Sequence, residues 1–366
     1  MALPGDGGSH PLARPGARPH QGSKPRVSKV PRPCLRQPEQ LRGINPHTRQ
    51  GLKMAQITPV VGIDVSKERL DVALHPEAER FSVGNDSAGR QELCRRLGTL
   101  GVRLIGIEPS GGYERDAVVA LLNAGLPVRS VNPWKLRQFA KALGLLAKND
   151  RLDARAIAHF VATLPTRPAQ HDPAREHLVE LVTARRQLVD FRQALGNQQE
   201  HLRDAELRRL NERRLRQSAA DLRRLEQRIL AAITAVPAMA RRYTLLCSVP
   251  GVGPVLAATV LALLPELGAI SNRQIGALVG VVPYDFDSGK MKGLRCIFGG
   301  RAEVRRVLFM ATQVAIQWNP VLQAFSRRLR QAGKKPKVAI IATMRKLLTM
   351  LNAMLRDGQS WRAATA

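Results

Sequence analysis

Short apolar runs alternate with amphipathic stretches between about residues 58 and 165. The runs have the length and residue types of strands, and they lie at 60–65, 69–74, 79–83, 103–108 and 126–131. The stretches between them have helical spacing, at 87–100, 113–123, from 133 onward and at 149–160. Three strands in succession, followed by strands that alternate with helices, predict an α/β domain over residues 58–165.

Leucines dominate the apolar pattern of residues 174–236, where they recur mainly at intervals of three or seven. The stretch contains a single glycine, Gly196, and no proline, and its other residues are largely Arg, Glu and Gln. This pattern predicts a long helical pair or a coiled coil. We expect it to act as a dimerisation arm. The alternative is a helical hairpin that packs on its own chain.

A second helical region, residues 243–356, contains a glycine-rich turn near its start. The turn includes Gly251 and Gly253 and is followed by a helix that begins at Pro254. It is typical of a helix-hairpin-helix motif, in which glycines let backbone N–H groups approach a phosphate at a helix N-terminus. The alternative is a tight connection between two helices. The predicted domain continues with a loop at 283–300 and helices at 301–317, 320–331 and 336–355.

Residues 1–54 have a different composition from the rest of the chain. They contain ten Lys or Arg, nine prolines and only scattered apolar residues. Such a stretch buries too little apolar surface to offset the entropy of ordering, so it is predicted to be disordered. It is either a basic arm that binds nucleic acid or upstream sequence translated from an early start codon. The lack of periodicity favours the second explanation.

The charge balance is strongly positive, with 58 Lys and Arg against 29 Asp and Glu, a formal charge of +29. Such a charge predicts an anionic partner, nucleic acid or acidic lipid. The longest apolar run, 255–270, is shorter than the ~20 residues of a membrane span, and no secretory signal is recognisable. Four widely spaced cysteines favour a reduced, cytoplasmic setting without disulfides or structural zinc. Aromatic residues make up only 4% of the chain, which disfavours a protein that binds single strands by base stacking.

Four carboxylates stand at positions from which they could converge. Asp64 lies near the end of the first predicted strand and Glu108 at the end of the fourth. Asp150 and Asp153 are three residues apart on a predicted helix and therefore share one of its faces. Concentrated carboxylates require a positive charge, and two Mg²⁺ ions with oxygen ligands would supply it. Two such ions suit the displacement of a phosphodiester oxygen. For any one of these acids alone, a turn or a local ion pair remains the simpler explanation.

A serine in a polar loop is the second candidate. Ser288 is followed by Gly289, and Ser-Gly in a loop is usually only a turn. Basic residues surround it, however, and the strong positive charge favours contacts with phosphate. The predicted nucleic-acid-binding residues are Lys67, Gly251, Gly253, Lys290, Lys292, Arg295, Arg301 and Arg305.

Seven sequence blocks, taken in order, resemble those of one family, the DEDD transposases of the insertion-sequence-110 class. Within that class the chain is similar to the subgroup around insertion sequence 1111. The blocks are GIDVSK at 62–67, EPSGGYE at 108–114, KNDRLDA at 148–154, VPGVGP at 249–254, DSGK at 287–290, GGR at 299–301 and MRKLL at 344–348.

The resemblance implies a RuvC-like domain of the ribonuclease H fold over residues 58–165, in which Asp64, Glu108, Asp150 and Asp153 bind Mg²⁺. It also implies a second, C-terminal transposase domain whose Ser288 attacks DNA and forms a phosphoserine link. Subunits of a homodimer or homotetramer would share a composite site. The implied partners are double-stranded donor and target DNA and a structured bridge RNA, and no membrane. The implied activity excises an insertion sequence and inserts it at a specific site.

Four other functions compete with this one. A DNA invertase of the same family shares every block. A Holliday-junction nuclease of the same fold would need the acids but not Ser288. A sugar kinase also opens with a Gly-Ile-Asp strand, but it needs a phosphate loop where this chain has Val65, Ser66 and Lys67. An architectural DNA-binding protein would need none of the acids.

Overall fold

The computed structural model describes residues 58–77, 79–144, 150–285, 287–289, 291 and 293–362, and only the backbone of 150–152. The predicted disordered extension, Lys290 and Lys292 lie outside the described residues. The first domain contains one six-stranded mixed sheet in the order β3-β2-β1-β4-β5-β6. Its strands are β1 Val60–Val65, β2 Arg69–His75, β3 Arg80–Gly84, β4 Leu104–Ile107, β5 Val128–Ser130 and β6 Arg167–Pro168.

The central strands of this sheet are parallel and its outer strands antiparallel. β1 pairs with β4, and β4 with β5, in the parallel sense, whereas β2 pairs with β1, β3 with β2 and β6 with β5 in the antiparallel sense. The five predicted strands are confirmed, and the order is consistent with the expected ribonuclease H-like fold. β6 was not predicted, because two residues cannot show a period-two pattern.

Two helices cover each face of the sheet. The helices are α1 Ser87–Leu100 and α2 Arg115–Asn123 on one face, and α3 Pro133–Ala142 and α4 Asp150–Thr163 on the other. Alternation along β1 separates the faces. Val61 and Ile63 join the core that contains α1 and α2, while Val60 packs with Ile157 and Phe160 of α4. Burying each such side chain contributes ~1.5–3 kcal/mol, so the alternation fixes which face each helix occupies.

The leucine-rich region forms two long helices, α5 Pro173–His201 and α6 Ala205–Thr234. They are antiparallel, because Arg185 of α5 pairs with Glu226 of α6 at 2.7 Å near one end, and Asn211 of α6 donates to the Leu195 carbonyl at 2.9 Å near the other. The pair is therefore a helical hairpin on its own chain. Its role in dimerisation stays a prediction.

The C-terminal region is a helical unit with one small hairpin of strands. Its elements are α7 Pro237–Cys247, α8 Pro254–Leu263, α9 Asn272–Val279, β7 Pro283–Tyr284, β8 Cys296–Ile297, α10 Ala302–Trp318, α11 Pro320–Gln331 and α12 Pro336–Asp357. The helices expected in the last third are confirmed, whereas α9 and the hairpin were not predicted. α12 is long and apolar enough to cross a membrane, but its Leu347, Leu348 and Leu351 are fully buried among the other helices, as in a core helix.

Candidate active site

Two of the predicted carboxylates lie side by side at one edge of the sheet. In the parallel pairing of β1 with β4, Gly62 is opposite Gly106 and Ile63 opposite Ile107. The next residue on each strand is therefore Asp64 or Glu108, and both are partly buried. Alternation directs both side chains to the face that α4 covers, since Val60 on the same side of β1 packs against that helix.

Because Gly62 has no side chain, α4 can pack in direct contact with the backbone of β1. A β-carbon at this position would overlap the carbonyl oxygen of Ala154 and the amide nitrogen of Ala158. On the neighbouring strand β4, a β-carbon on Gly106 would overlap the side chain of Val161, which also belongs to α4. α4 therefore crosses β1 and β4 in close contact, over the two strands that end in the carboxylates.

The direction of α4 brings its N-terminus to the same edge. His159 stacks on His75 with ring centroids 4.9 Å apart, and His75 pairs with Val60 at the start of β1. Because Ala154 meets Gly62 further along β1, the helix runs antiparallel to that strand and begins toward Asp64. Asp153 lies in this first turn and is partly buried. Asp150 is the first residue of α4, and its side chain lies outside the described residues.

The donor chemistry of these acids suits a hard divalent cation. Asp64, Glu108 and Asp153 contribute only carboxylate oxygens, the ligands that Mg²⁺ prefers. Among the residues that the structure describes, no three His, Cys, Asp or Glu side chains are in position to hold a metal ion together. The placement of the acids at one edge supports the predicted site, but a complete ligand set is not formed by the described side chains alone.

Two polar side chains organise the loops that flank these acids. Glu114 accepts hydrogen bonds from the backbone N–H groups of Ser110 and Gly112, both at 2.9 Å. Asn85 donates to the Ser66 and Tyr113 carbonyls, both at 3.0 Å, and so ties the turn after β1 to the loop after β4. Lys67, one of the predicted phosphate contacts, is exposed in the turn after β1, three residues beyond Asp64.

Ser288 lies near the tip of the hairpin that β7 and β8 form, which we call the serine hairpin and define as residues 283–297. It is exposed, and its backbone exchanges hydrogen bonds with Met291, at 3.0 and 2.9 Å. Asp287 accepts a hydrogen bond from the Gly293 amide at 3.0 Å. The serine is therefore presented on a closed turn, with its neighbours fixed by backbone contacts.

The segment just after this hairpin is linked to the six-stranded sheet and its helix α3 at two places. Phe298, directly after β8, packs edge-on against Trp134 of α3, with ring centroids 6.2 Å apart. Glu266 pairs with Arg301 just before α10, at 2.6 Å, and with Arg167 of β6 at 3.0 Å. Burial raises the pKa of Glu266, but the hydrogen bonds and positive charge of Arg301, with the charge of Arg167, outweigh it and hold that pKa below its ordinary value.

Three of the predicted phosphate-binding arginines have partners within the chain. Arg301 makes two bonds to Glu266 and one to the Leu263 carbonyl. Arg305 donates to the Val279 and Gly299 carbonyls. Arg295 pairs with Asp285 at 2.6 Å and remains largely exposed. Of the three, Arg295 retains the most accessible guanidinium for a phosphate.

The two glycines of the predicted helix-hairpin-helix turn have different surroundings. Gly251 has φ 95°, and a β-carbon there would overlap Ala315 of α10, so packing within the chain accounts for it. Gly253 directly precedes α8, and no described residue lies within 4 Å of where its β-carbon would be. The open N-terminus of α8 is thus the part of the turn that a phosphate could reach.

Sequence reasoning missed Glu266 and the pair of Trp134 with Phe298. Glu266 interrupts the long apolar run at 255–270, and an acid at such a place is a signal for a buried ion pair. The two aromatic residues are 164 positions apart, and no local pattern relates them.

The chain is similar to known transposases and DNA invertases. A sequence model described as the transposase IS116/IS110/IS902 family matches residues 243–327, and a DEDD transposase model of the IS110 type matches residues 61–205. The pilin gene-inverting protein of Moraxella bovis is 27% identical over 313 residues, 82% of this chain and 96% of that protein, and its Moraxella lacunata counterpart has the same values. The uncharacterized 43.6 kDa protein of insertion element IS110 from Streptomyces coelicolor is 24% identical over 255 residues, 68% of this chain and 62% of its own length.

Proposed function

The chain is an IS110-family DEDD transposase with homology to the pilin gene-inverting proteins, and on that premise we propose that it excises an insertion sequence and inserts it at a specific DNA site. We further propose that it belongs to the insertion-sequence-1111 subgroup. In this proposal the acids at the sheet edge and Ser288 act on the same phosphodiester, within a homodimer or homotetramer.

One observation carries the proposal. Asp64 and Glu108 follow paired positions of two parallel strands, on the face over which the N-terminus of α4 brings Asp153. If these acids only made local ion pairs, nothing would require all three to lie at the same edge of the sheet. A site of this kind acts on a charged, extended substrate, and the +29 charge of the chain favours a polyanion.

Asp64, Glu108, Asp150 and Asp153 would hold two Mg²⁺ ions. When bound, the ions would neutralise charge that develops on the phosphate during displacement. The acids would hold the ions at the sheet edge where the scissile phosphate lies, and Lys67 in the turn after β1 would contact a neighbouring phosphate. Arg295 would do the same beside the serine hairpin.

Ser288 would supply the nucleophile. Its Oγ would form a bond to phosphorus while one phosphorus–oxygen bond of the DNA backbone breaks. The serine hydroxyl proton is lost, and the released DNA oxygen takes up a proton. One phosphodiester is exchanged for another, so the strand can be rejoined by the reverse step without ATP.

The experiment is to trap this covalent link. Wild-type protein, Mg²⁺ and labelled DNA that carries the element ends are denatured and analysed for a protein–DNA adduct. We expect an adduct for the wild type and none for Ser288→Ala. The matched control, Ser360→Ala, alters an exposed serine near the C-terminus and should form the adduct normally. An adduct that persists in Ser288→Ala would overturn the role of this serine, and cleavage by the wild type without any adduct would favour a junction nuclease.

A second candidate function is site-specific DNA inversion. It is favoured by the coverage of the Moraxella relatives, which are called pilin gene-inverting proteins and 96% of whose length is matched. The two functions can be distinguished on plasmids that carry the element ends in either relative orientation. Free circular element indicates excision, whereas reversed sequence between the ends indicates inversion.

The last part of the proposal concerns how the protein recognises its DNA sites. A structured bridge RNA, paired with donor and target DNA, would supply site recognition. Sequencing of RNA that copurifies with the protein tests this, and we expect one transcript from the DNA that flanks the reading frame. Random cellular RNA alone would contradict guidance and favour the invertase.

A further inference from the structure

Exposed aromatic side chains gather around the candidate active site. The chain has only fourteen aromatic residues, eight Phe, three Trp and three Tyr. Six of those in the described part of the chain are largely exposed, and four of these stand near the sheet edge or on the serine hairpin and its end. These four are Tyr113, Trp134, Tyr284 and Phe298. Water contact with large apolar rings is unfavourable, so such a concentration indicates a binding surface.

Trp134 lies at the same sheet edge as the acids. It is the second residue of α3, which begins three residues after β5 ends. β5 is parallel to β4, and the amide of Val131 donates to the carbonyl of Ile107, the residue before Glu108, at 3.0 Å. The start of α3 therefore follows the carboxyl end of a strand next to the one that leads to Glu108.

Phe298 supplies the second ring from the position just after the serine hairpin. It follows β8 directly, and its ring is inclined at 64° to that of Trp134. Each of the two side chains is 57% exposed, so the contact covers only part of each ring. The pair thus leaves aromatic surface open between the sheet that carries Asp64 and the hairpin that carries Ser288.

The aromatic character of this surface indicates what kind of ligand it would bind. Flat, uncharged rings on the surface of a strongly basic protein match the flat face of a nucleobase, while the positive charge of the chain favours the phosphates. A base in an intact duplex is already stacked on both faces and offers its edge only. We propose that Trp134 and Phe298 form a stacking site for an unpaired base of the DNA strand that is cut at the neighbouring acids. This inference rests on the proposed function, and it means that the substrate is held with its strands locally separated.

Binding measured without catalysis tests the inference. The full chain in EDTA is titrated into a fluorescent oligothymidylate of about 20 nucleotides and into a blunt duplex of the same length, at one fixed salt concentration. We expect Trp134→Leu and Phe298→Leu to weaken single-strand binding by about five-fold or more, and duplex binding by less than about two-fold. Trp134→Phe keeps an aromatic ring and should bind single strands nearly as the wild type does.

Leucine is chosen because it keeps an apolar contact between α3 and the serine hairpin but cannot stack on a base. Trp318→Leu is the matched control, because Trp318 is 71% exposed at the other end of α10, about 24 Å along the helix from its start. It should leave both affinities unchanged.

Three outcomes would overturn the inference. Single-strand binding could be unchanged in both leucine variants. Single-strand and duplex binding could fall together, which would mean that the ring pair only holds the hairpin in place. Trp134→Phe could also fail to restore binding. None of these outcomes bears on the adduct at Ser288, so the inference and the proposed function fail separately.

Discussion

A β-carbon on Gly62 would overlap the backbone amide of Ala158, so β1 and α4 touch backbone to backbone. The contact lies two residues before Asp64 on the strand and five residues after Asp153 on the helix. It therefore sets the distance between the sheet and the helix that carries two of the four acids. Any side chain larger than hydrogen must push the helix away.

The first prediction concerns this contact. Gly62→Ala should lower the free energy of unfolding by about 1–3 kcal/mol, because the added methyl group overpacks a backbone contact that cannot rearrange. DNA cleavage should fall by about 100-fold, since an ångström-scale shift of the acids at α4 is enough for that loss. Urea denaturation and a cleavage time course measure the two effects.

Gly98 provides the matched control for this change. It lies within α1, and a β-carbon there has nothing within 4 Å. Gly98→Ala should stabilise the protein by about 0.5–1 kcal/mol, because alanine loses less entropy than glycine in a helix. Equal effects of the two substitutions would contradict the role given to Gly62.

The position of Asp64 and Glu108 could be predicted from the sequence because parallel strands place their carboxyl ends together. The apolar runs around 63 and 107 have the length of buried strands, and each ends beside an acid. The Arg301–Glu266 pair could not be predicted, since no local pattern relates residues 35 positions apart. The serine hairpin was missed because β7 and β8 have two residues each. Such strands are held by their tertiary surroundings and not by their own pattern.

The second prediction concerns the pH dependence of the ion pairs that Glu266 makes with Arg301 and Arg167. Its pKa is lower in the folded protein than its ordinary value of 4.5, so the unfolded state binds the proton more readily. The stabilisation is present above pH 4.5 and is lost as the pH falls through the lower, folded pKa. Glu266→Gln should cost about 1–3 kcal/mol at pH 7 and much less at pH values well below 4.5. Urea denaturation over this range measures the difference.

Glu92 is the control for Glu266. Hydrogen bonds from Arg95 and Arg96 lower the pKa of Glu92 to about 2, yet all three side chains lie on the solvent face of α1. Solvent screens such pairs, so Glu92→Gln should change stability less than Glu266→Gln does at pH 7. A parallel loss at all pH values in Glu266→Gln would show that charge is not what stabilises the contact.

The third prediction concerns removal of the metal. EDTA should abolish cleavage and leave DNA binding nearly unchanged, because the contacts to phosphate come from Lys and Arg and not from the acids. Mg²⁺ should restore cleavage. Asp64→Asn should behave at saturating Mg²⁺ as the wild type does in EDTA, with binding followed by anisotropy and cleavage by gel.

Asp116 is the control for Asp64. It lies on α2 and makes a 3.4 Å ion pair with Arg90 while its side chain stays 73% exposed. Asp116→Asn should cleave DNA as the wild type does. Full cleavage by Asp64→Asn, or full cleavage in EDTA, would remove the carboxylate site from the mechanism.

The fourth prediction concerns the N-terminus of α8. Gly253 is the residue before this helix, has extended backbone angles and makes no side-chain cap. Gly253→Asn and Gly253→Asp should both cap the helix and stabilise the protein, each by a few tenths of a kcal/mol. If a phosphate binds at this helix end, the charged variant must repel it. Gly253→Asp should therefore weaken DNA binding several-fold while Gly253→Asn binds nearly as the wild type does. Equal DNA affinities of the two variants, measured by anisotropy at low salt, would mean that the turn only connects α7 to α8.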